Sequence, residues 1–353
     1  MRCIQPDYVS KFKCDGKICG ARCCRDWRIV VDDETYEKYC LLSDSERDKV
    51  LSDLDWIEDE VEGVDVMVLK LRPDGVCSFL RKDSLCGLQK KYGEDYLTAI
   101  CQSFPRVTYK LDEETYEQSM TLTCPLAAEL ILLPVEPVQF VEVPEMTARA
   151  VVGFRQKLSR PTEEFVAVQL DAIKILQERD LTINQRLKKL CGKFAPEPLP
   201  EVEFDAEAHA ELIVEIFDST YGAGLSDRDK VNLRRNYESY RAEILNRVRG
   251  EFGYVLENYL VNEFFVRCYP SAFGGGEFHN CKIFVAGYRT LEFAITLTVI
   301  AKISAGLQVK LSDVTTLIYS VNDTLDHSRG GMDALVEFAK TSNAETFAAL
   351  MLE

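Results

Sequence analysis

Four cysteines fall within eleven residues of the stretch KCDGKICGARCC (Lys13–Cys24), spaced C-x4-C-x3-C-C. Thiolates are polarizable donors that select zinc, copper(I) or iron–sulfur clusters over hard cations. Four more follow at Cys77, Cys86, Cys101 and Cys124, in contexts that suit ligands. GVCSFL follows a turn, SLCGLQ opens a helix, and AICQSFPR ends one before a proline. Backbone N–H groups at such turns and helix ends can stabilise sulfur charge. Structural zinc usually presents two C-x2-C half-sites or cysteine with histidine. Neither spacing occurs, and the three histidines (His209, His279, His327) lie outside the cysteine-rich part. An all-cysteine donor set with the paired Cys23-Cys24 leans toward iron–sulfur, with zinc as the alternative metal. A four-iron cluster takes four protein thiolates at most, so four or fewer of the eight are expected as its ligands. Two or three of the others fit as small buried core residues.

Other candidates are thinner. Arg106, directly after Phe104-Pro105, stands at the edge of the cysteine set, where a guanidinium can pair with a carboxylate or a negatively charged cofactor. Glu257, Asn258 and Tyr259 in LENYLVNEFF are polar or amphipathic groups in an apolar run and candidates for a binding or catalytic site. A helix-surface or capping role is the plainer reading for each. His279 and Cys281 are too few for a second metal site. Tyr237, Tyr240 and Arg241 read as a solvated helix face. No G-x-G-x-x-G follows a strand, and FGGGEF (Phe273–Phe278) reads as a connector between helices. The C-x3-C-x2-C spacing of radical chemistry is absent, because Cys19-x3-Cys23 is followed at once by Cys24.

The elements that must position these groups divide unevenly. Up to residue 134, short strands, turns and helices alternate. A helix capped near Asp32 or Asp33 follows RIVV, and another opens at Ser43 or Asp44. Two short strands flank Pro73-Asp74-Gly75, and a hairpin turns at Asp112–Glu114. Three prolines in Pro134–Pro144 break the pattern. Beyond them helices dominate, including a face of Phe165, Val168, Ala172, Ile175 and Leu176. Amphipathic runs follow at Ala206–Asp218, Asp227–Cys268, Lys282–Ile303 and Asp333–Leu352. The expected fold is α+β and predominantly α: a loop-rich, cysteine-ligated metal module with short hairpins over 1–134, then an all-α domain over 145–353.

Thirteen cysteines, most of them clustered, argue for metal over disulfides in a reducing compartment. The amino terminus shows neither an h-region nor a small-residue cleavage site, so a cytoplasmic protein is expected. No eighteen-residue uncharged apolar run exists; LEFAITLTVIAKI (Leu291–Ile303) reads as a buried helix, so no membrane association is expected. A net charge of −16 offers nothing for a phosphate backbone, which excludes a general nucleic-acid binder.

Three cysteine blocks, FKCDGKICGARCCRDW, VCSFLRKDSLCGLQKKYGEDYLTAICQSFPR and MTLTCPLAAELILL, closely resemble the bacterial flagellin lysine N-methylase family, as does LENYLVNEFFVRCYP. The first two blocks also resemble a wider group of cysteine-rich zinc- or iron-chelating proteins. The resemblance implies an enzyme that methylates lysine ε-amines on flagellin, using S-adenosylmethionine and a [4Fe-4S] cluster. It also implies that the all-α domain over 145–353 binds substrate and methyl donor, with Glu257, Asn258 and Tyr259 as candidates for the amine site. Cys14, Cys19, Cys23 and Cys24 match the family's first block, Cys77 the CxxL position, Cys86 the next, Cys101 the C-x-x-F-P-R position and Cys124 the final Cys-Pro. Ser78, Gln102 and Ser103 depart from the common residues at non-ligand positions. Methyl transfer to an amine does not itself require a cluster, which leaves it three roles: orienting the methyl donor, holding the module together, or redox chemistry. The competing reading is a non-catalytic, cysteine-rich zinc- or iron-binding module acting on flagellin or in metal handling. An electron carrier is a more distant third.

Overall fold

The computed structural model describes residues 2–58, 63–146, 152–153, 158–203, 205–327 and 330–352. The chain is α+β and predominantly helical, as expected. Its strands are β1 (Arg2–Pro6), β2 (Leu54–Glu58), β3 (Asp65–Leu69), β4 (Arg106–Lys110), β5 (Thr115–Met120), β6 (Phe140–Val143) and β7 (Val152–Gly153). Five form one mixed sheet in the order β6-β1-β5-β4-β7, while β2 and β3 pair separately. The β4–β5 hairpin turns where Asp112 accepts the N–H groups of Glu114 and Thr115. Its partner β1 runs parallel to β5, Ile4 opposite Glu117.

Short helices fill the first part: α1 (Gly16–Cys19), α2 (Asp33–Cys40), α3 (Asp44–Ser52), α4 (Gly87–Tyr92), α5 (Ala99–Ser103) and α6 (Pro125–Leu132). Asp32 caps α2 by accepting the Thr35 N–H, and its second oxygen accepts that of Ala99, tying α2 to α5. Longer helices follow: α7 (Thr162–Leu176), α8 (Ile183–Phe194), α9 (Ala206–Tyr221), α10 (Asp227–Glu251), α11 (Gly253–Val266), α12 (Glu277–Ser304), α13 (Leu311–His327), α14 (Gly331–Thr341) and α15 (Ala344–Ala349). By length and composition α12 could cross a membrane, but 78% of its apolar window is buried inside the protein. It is the central core helix.

The cores do not divide at Pro134–Pro144. A large core joins Ile4, Met120 and Ile131 to Phe165, Leu260 and Phe284, so the sheet and α6 belong to the helical body. A smaller core of Ile29, Tyr39, Val50, Leu69, Leu80 and Leu97 supports α2–α5 and the β2–β3 ladder. Residues 134–144, expected as a linker, contribute β6 at the edge of the sheet, where flanking prolines cost no ladder bonds. The long run expected from Asp227 to Cys268 breaks at Phe252. Tyr237 is buried against His209 and Phe293 and not on a solvated face; the side chains of Tyr240 and Arg241 lie outside the described residues.

On β5, Glu117 is 1% exposed, beside Gln169 of α7 and the thiol of Cys268, which donates to its Oε2 over 3.7 Å. Burial pushes its carboxyl from the usual 4.5 up to about 8, while Gln169 and Cys268 draw it back less strongly. A carboxyl whose folded value is raised contributes stability that is full below its unfolded value and lost as pH rises through the folded one. Stability is therefore expected to fall between about pH 4.5 and pH 8. Glu117→Gln should remove that fall and raise stability at pH 8 by roughly 3–5 kcal/mol, read from urea midpoints across pH. A variant with the parent's pH profile would show that another group sets it.

Candidate metal centre

The cysteine loop folds around two left-handed residues. Asp15 caps α1 by accepting the Lys17 N–H, and Gly20 and Ala21, with φ of +69° and +51°, turn the chain so that Cys23 and Cys24 follow closely on Cys19. Gly16 packs so tightly on the next block that a Cβ there would lie 2.3 Å from the Ser84 carbonyl oxygen. Only glycine permits that approach. At Gly75 an added Cβ would lie 2.0 Å from an Asp26 carboxylate oxygen, so this turn too receives the loop closely. The Cys77 N–H then donates to the Cys24 carbonyl at 2.9 Å, joining the first block to the second.

Helix ends hold the later cysteines. Cys86 caps α4 and Cys124 caps α6, with Pro125 at the first helical position. Cys101 lies in α5, whose cap Thr98 accepts the Cys101 N–H. Backbone N–H groups of Phe79 and Leu80 near Cys77, of Leu88 and Gln89 near Cys86, and of Leu126 and Ala127 near Cys124 pull the thiol pKa values down, against the larger rise from burial. Each pair of donors favours thiolate over thiol.

Cys14, Cys19, Cys23, Cys24, Cys77, Cys86, Cys101 and Cys124 all line one cavity of about 130 Å³. The sequence expectation gathered eight residues spread over 111 positions, and the structure brings every one to the same wall. The rest of the lining is chiefly apolar, with Trp27 edge-on to Phe104 at 5.3 Å, and no carboxylate or histidine among the described residues contributes. Burial pushes the thiols up, Cys14 and Cys124 to about 11 and Cys101 to about 12. Contact with Cys24 and burial raise Cys23 further. A bound cation reverses that balance, because it stabilises the thiolate directly. Among the described residues no three His, Cys, Asp or Glu side chains are grouped so as to hold a single metal ion. The thiols surround a space instead of converging on a point.

Arg106 is not part of the cavity lining but lies next to it, following Pro105 and packed on Phe12, both of which line it. Its Nη2 donates to the Phe12 carbonyl at 3.3 Å, its guanidinium lies 5.2 Å from the Phe12 ring centroid, and its Nε is buried without a hydrogen-bond partner. Burial lowers its pKa, while Glu94 and Cys14 oppose that. A negatively charged group in the cavity would complete its surroundings.

The amine-site candidates lie elsewhere and have internal partners. Glu257 is paired with Arg186 at 2.8 Å and Arg179 at 2.9 Å, bracing α11 against α8. Asn258 donates to the carbonyls of Leu132 and Pro134. Tyr259 is buried, and burial raises its hydroxyl pKa well above the usual range. The structure brings none of the three to the cysteine cavity. Cys281 packs against Cys191, and His279 lies beside the left-handed Gly275. In FGGGEF, Asn280 bonds both backbone groups of Phe273, as a helix connector requires.

A contact not foreseen joins the cysteine loop to the helical body. Arg22, between Cys19 and Cys23, pairs with Asp323 of α13 at 3.3 Å and stacks 4.9 Å over the Tyr319 ring. One turn on, Asp326 accepts from Arg267 and from Thr121. The acid spacing on α13 was visible, but the arginine that it meets lies 301 residues away.

Residues 194–352 match the family model for the FliB lysine N-methylase C-terminal domain. The match covers a little less than half of the chain. The matched segment contains α9–α15 and Asp323, and none of the eight cavity cysteines. The chain is 29% identical over 139 residues to the flagellar biosynthetic protein FliU of Salmonella muenchen, covering 36% of this chain and 75% of that one. Identity is also 29% over 139 residues to the lysine-N-methylase of Salmonella typhimurium and to that of Salmonella choleraesuis. The match spans about a third of those two proteins' length, 32% in each case. No solved structure matches.

Proposed function

We propose that this chain is a lysine N-methylase that transfers a methyl group from S-adenosylmethionine to lysines of flagellin, with a [4Fe-4S] cluster held by cysteines of the cavity. The observation that carries the reading is the FliB lysine N-methylase C-terminal domain over residues 194–352, packed through Asp323 and Tyr319 against the cysteine loop. The relatives' names, lysine-N-methylase and flagellar biosynthetic protein, support the reaction and the substrate. A donor set of eight thiols with no carboxylate or histidine among the described residues, backbone N–H groups near three of the sulfurs and the nearby buried Arg106 Nε suit an anionic cluster. Among the described residues no histidine lines the cavity, which favours a cluster over zinc, and a reducing cytosol would keep these thiols available for it.

In the transfer, the neutral amine's lone pair attacks the sulfonium methyl, the S–CH3 bond breaks, and S-adenosylhomocysteine leaves. The methylated ammonium then loses its proton to water. A bound cluster supplies iron sites that can take up the amino and carboxylate groups of an amino acid. This chain's residues hold the thiolates, exclude water through Trp27 and Phe104, and place positive charge beside the cavity through Arg106.

The test is incubation of the metal-loaded, full-length protein with flagellin and S-adenosylmethionine carrying an isotopic methyl label, followed by peptide mass spectrometry. Labelled methyl groups on flagellin lysines are expected. Absence of label with loaded protein would overturn the reading and leave a non-catalytic metal-binding module.

A further inference from the structure

Tyr319 and Asp323 stand one turn apart on α13, so the ring and the carboxylate share one face of the helix. Arg22 engages both: its guanidinium lies 4.9 Å from the Tyr319 ring centroid and its Nη2 3.3 Å from the Asp323 carboxylate. The Tyr319 hydroxyl is buried without a hydrogen-bond partner, so the ring face and not the hydroxyl meets the cation. A π face with a carboxylate beside it suits an alkylammonium as well as a guanidinium. The site adjoins the cysteine cavity, because Ala21 and Cys23, on either side of Arg22, both line that wall.

The Arg22 side chain is not what fastens the loop. Ala21 is buried in the smaller core, Gly16 seats against the Ser84 carbonyl, and the Cys77 N–H bonds the Cys24 carbonyl. The Arg22 side chain itself is 56% exposed and that of Asp323 33%. An exposed ion pair of this kind is weak, and another cation can displace it. One turn on, Asp326 is paired differently. Its partner Arg267 is 19% exposed and is held by Glu263 as well. α13 therefore has one acid fixed inside the body and one whose cation can leave.

We propose that Tyr319 and Asp323 are the recognition site for the substrate lysine, and that Arg22 fills it before substrate arrives, as an internal stand-in for the lysine ammonium. The inference rests on the lysine-methylase reading and adds where the substrate side chain binds. Lysine arrives as the ammonium at neutral pH, with the charge and reach to take the place of Arg22. It gives its proton to water before methyl transfer, so Tyr319 and Asp323 are positioning residues and not catalytic ones. The helical segment recognises the lysine, and the cysteine loop covers the site until then.

The experiment uses calorimetry to measure binding of a synthetic flagellin peptide with a single lysine to metal-loaded, full-length protein. The same peptide with norleucine in place of lysine is the uncharged control. The parent should prefer the lysine peptide. Asp323→Asn should weaken its binding about tenfold and Tyr319→Leu about fivefold, while Tyr319→Phe, which keeps the ring, should bind as the parent does. Arg22→Ala should tighten binding about threefold, because the peptide no longer displaces a resident cation. Norleucine-peptide binding should not change in any variant, and each variant is checked for parental helix and iron content. In methyl transfer the same split should appear as a lower KM for Arg22→Ala and a higher KM for Asp323→Asn, at unchanged kcat. A purely structural contact predicts weaker or unchanged binding for Arg22→Ala. That result would overturn the proposal, as would a parent that binds both peptides equally. Lysine-selective binding that follows these variants, without methyl transfer, would keep the site and refute the methylase reading. Methyl transfer with an affinity indifferent to Asp323 would do the reverse.

Discussion

Chelation of the metal under reducing conditions is expected to release amide protection in α1–α5 and the turns carrying Cys77 and Cys86, while α7–α15 and the five-stranded sheet keep theirs. The elements around the cavity are short: α1 has four residues, α4 six and α5 five. Helices below about 12–15 residues are marginal in water without tertiary support. Their support is a small core that itself includes cavity cysteines. Structural metal sites contribute about 10 kcal/mol of folding free energy in small domains, and losing even about 3 kcal/mol speeds exchange roughly a hundredfold. The sheet and long helices share the larger core, which closes without the smaller one. Hydrogen–deuterium exchange before and after chelation reads both regions at once. Unchanged protection around the cysteines, or uniform loss across the chain, would contradict the division into a metal-dependent module and an independent body.

Glu292→Ala should be the most damaging single change in the helical body. The Glu292 carboxylate is 3% exposed and pairs with Arg249 at 3.0 Å and Arg289 at 2.5 Å, while Tyr288 donates to it at 3.0 Å. Arg289 also donates to Asn184 and to the Leu350 carbonyl, so one network joins α8, α10, α12 and the end of α15. Removing the acid leaves Arg289 buried and unpaired, at a cost of about 3–5 kcal/mol. Burial alone would raise the Glu292 carboxyl, but the two arginines outweigh it and hold the value near 2. A depressed folded value means stabilisation that is full above about pH 4.5 and lost as pH falls toward 2, the opposite sense to Glu117. Urea midpoints at pH 7 and pH 3 check both statements. A variant as stable as the parent at pH 7 would show that the network is dispensable.

The cysteine constellation was the most legible feature of the chain. Residue type, turn context and helix-end placement were enough to assemble all eight thiols before any distance was known. Local signals also located α2, α3 and the β4–β5 hairpin, because caps and alternation act over a few residues. The failures were non-local. β1 pairs in parallel with a strand more than 110 positions away, and nothing in RCIQP announces that. β6 was hidden in a proline-rich run that an edge strand tolerates. α13 is rich in threonine and valine, whose stiff side chains lower helix propensity, and packing overrides that preference. For α8 a signal was present and missed: Thr182 and Gln185 form a reciprocal capping box. Glu257 and Asn258 suggested chemistry because they interrupt an apolar helix; their partners, Arg179, Arg186 and two carbonyls, come from segments that no periodicity connects to α11.

The central claim is that the cysteine cavity holds iron and sulfide. An ultraviolet–visible spectrum of protein purified without oxygen, with iron, sulfide and zinc analysis of the same sample, tests it most directly. The account predicts a brown protein with iron and inorganic sulfide in equal amounts. A colourless protein with stoichiometric zinc and no sulfide would contradict it.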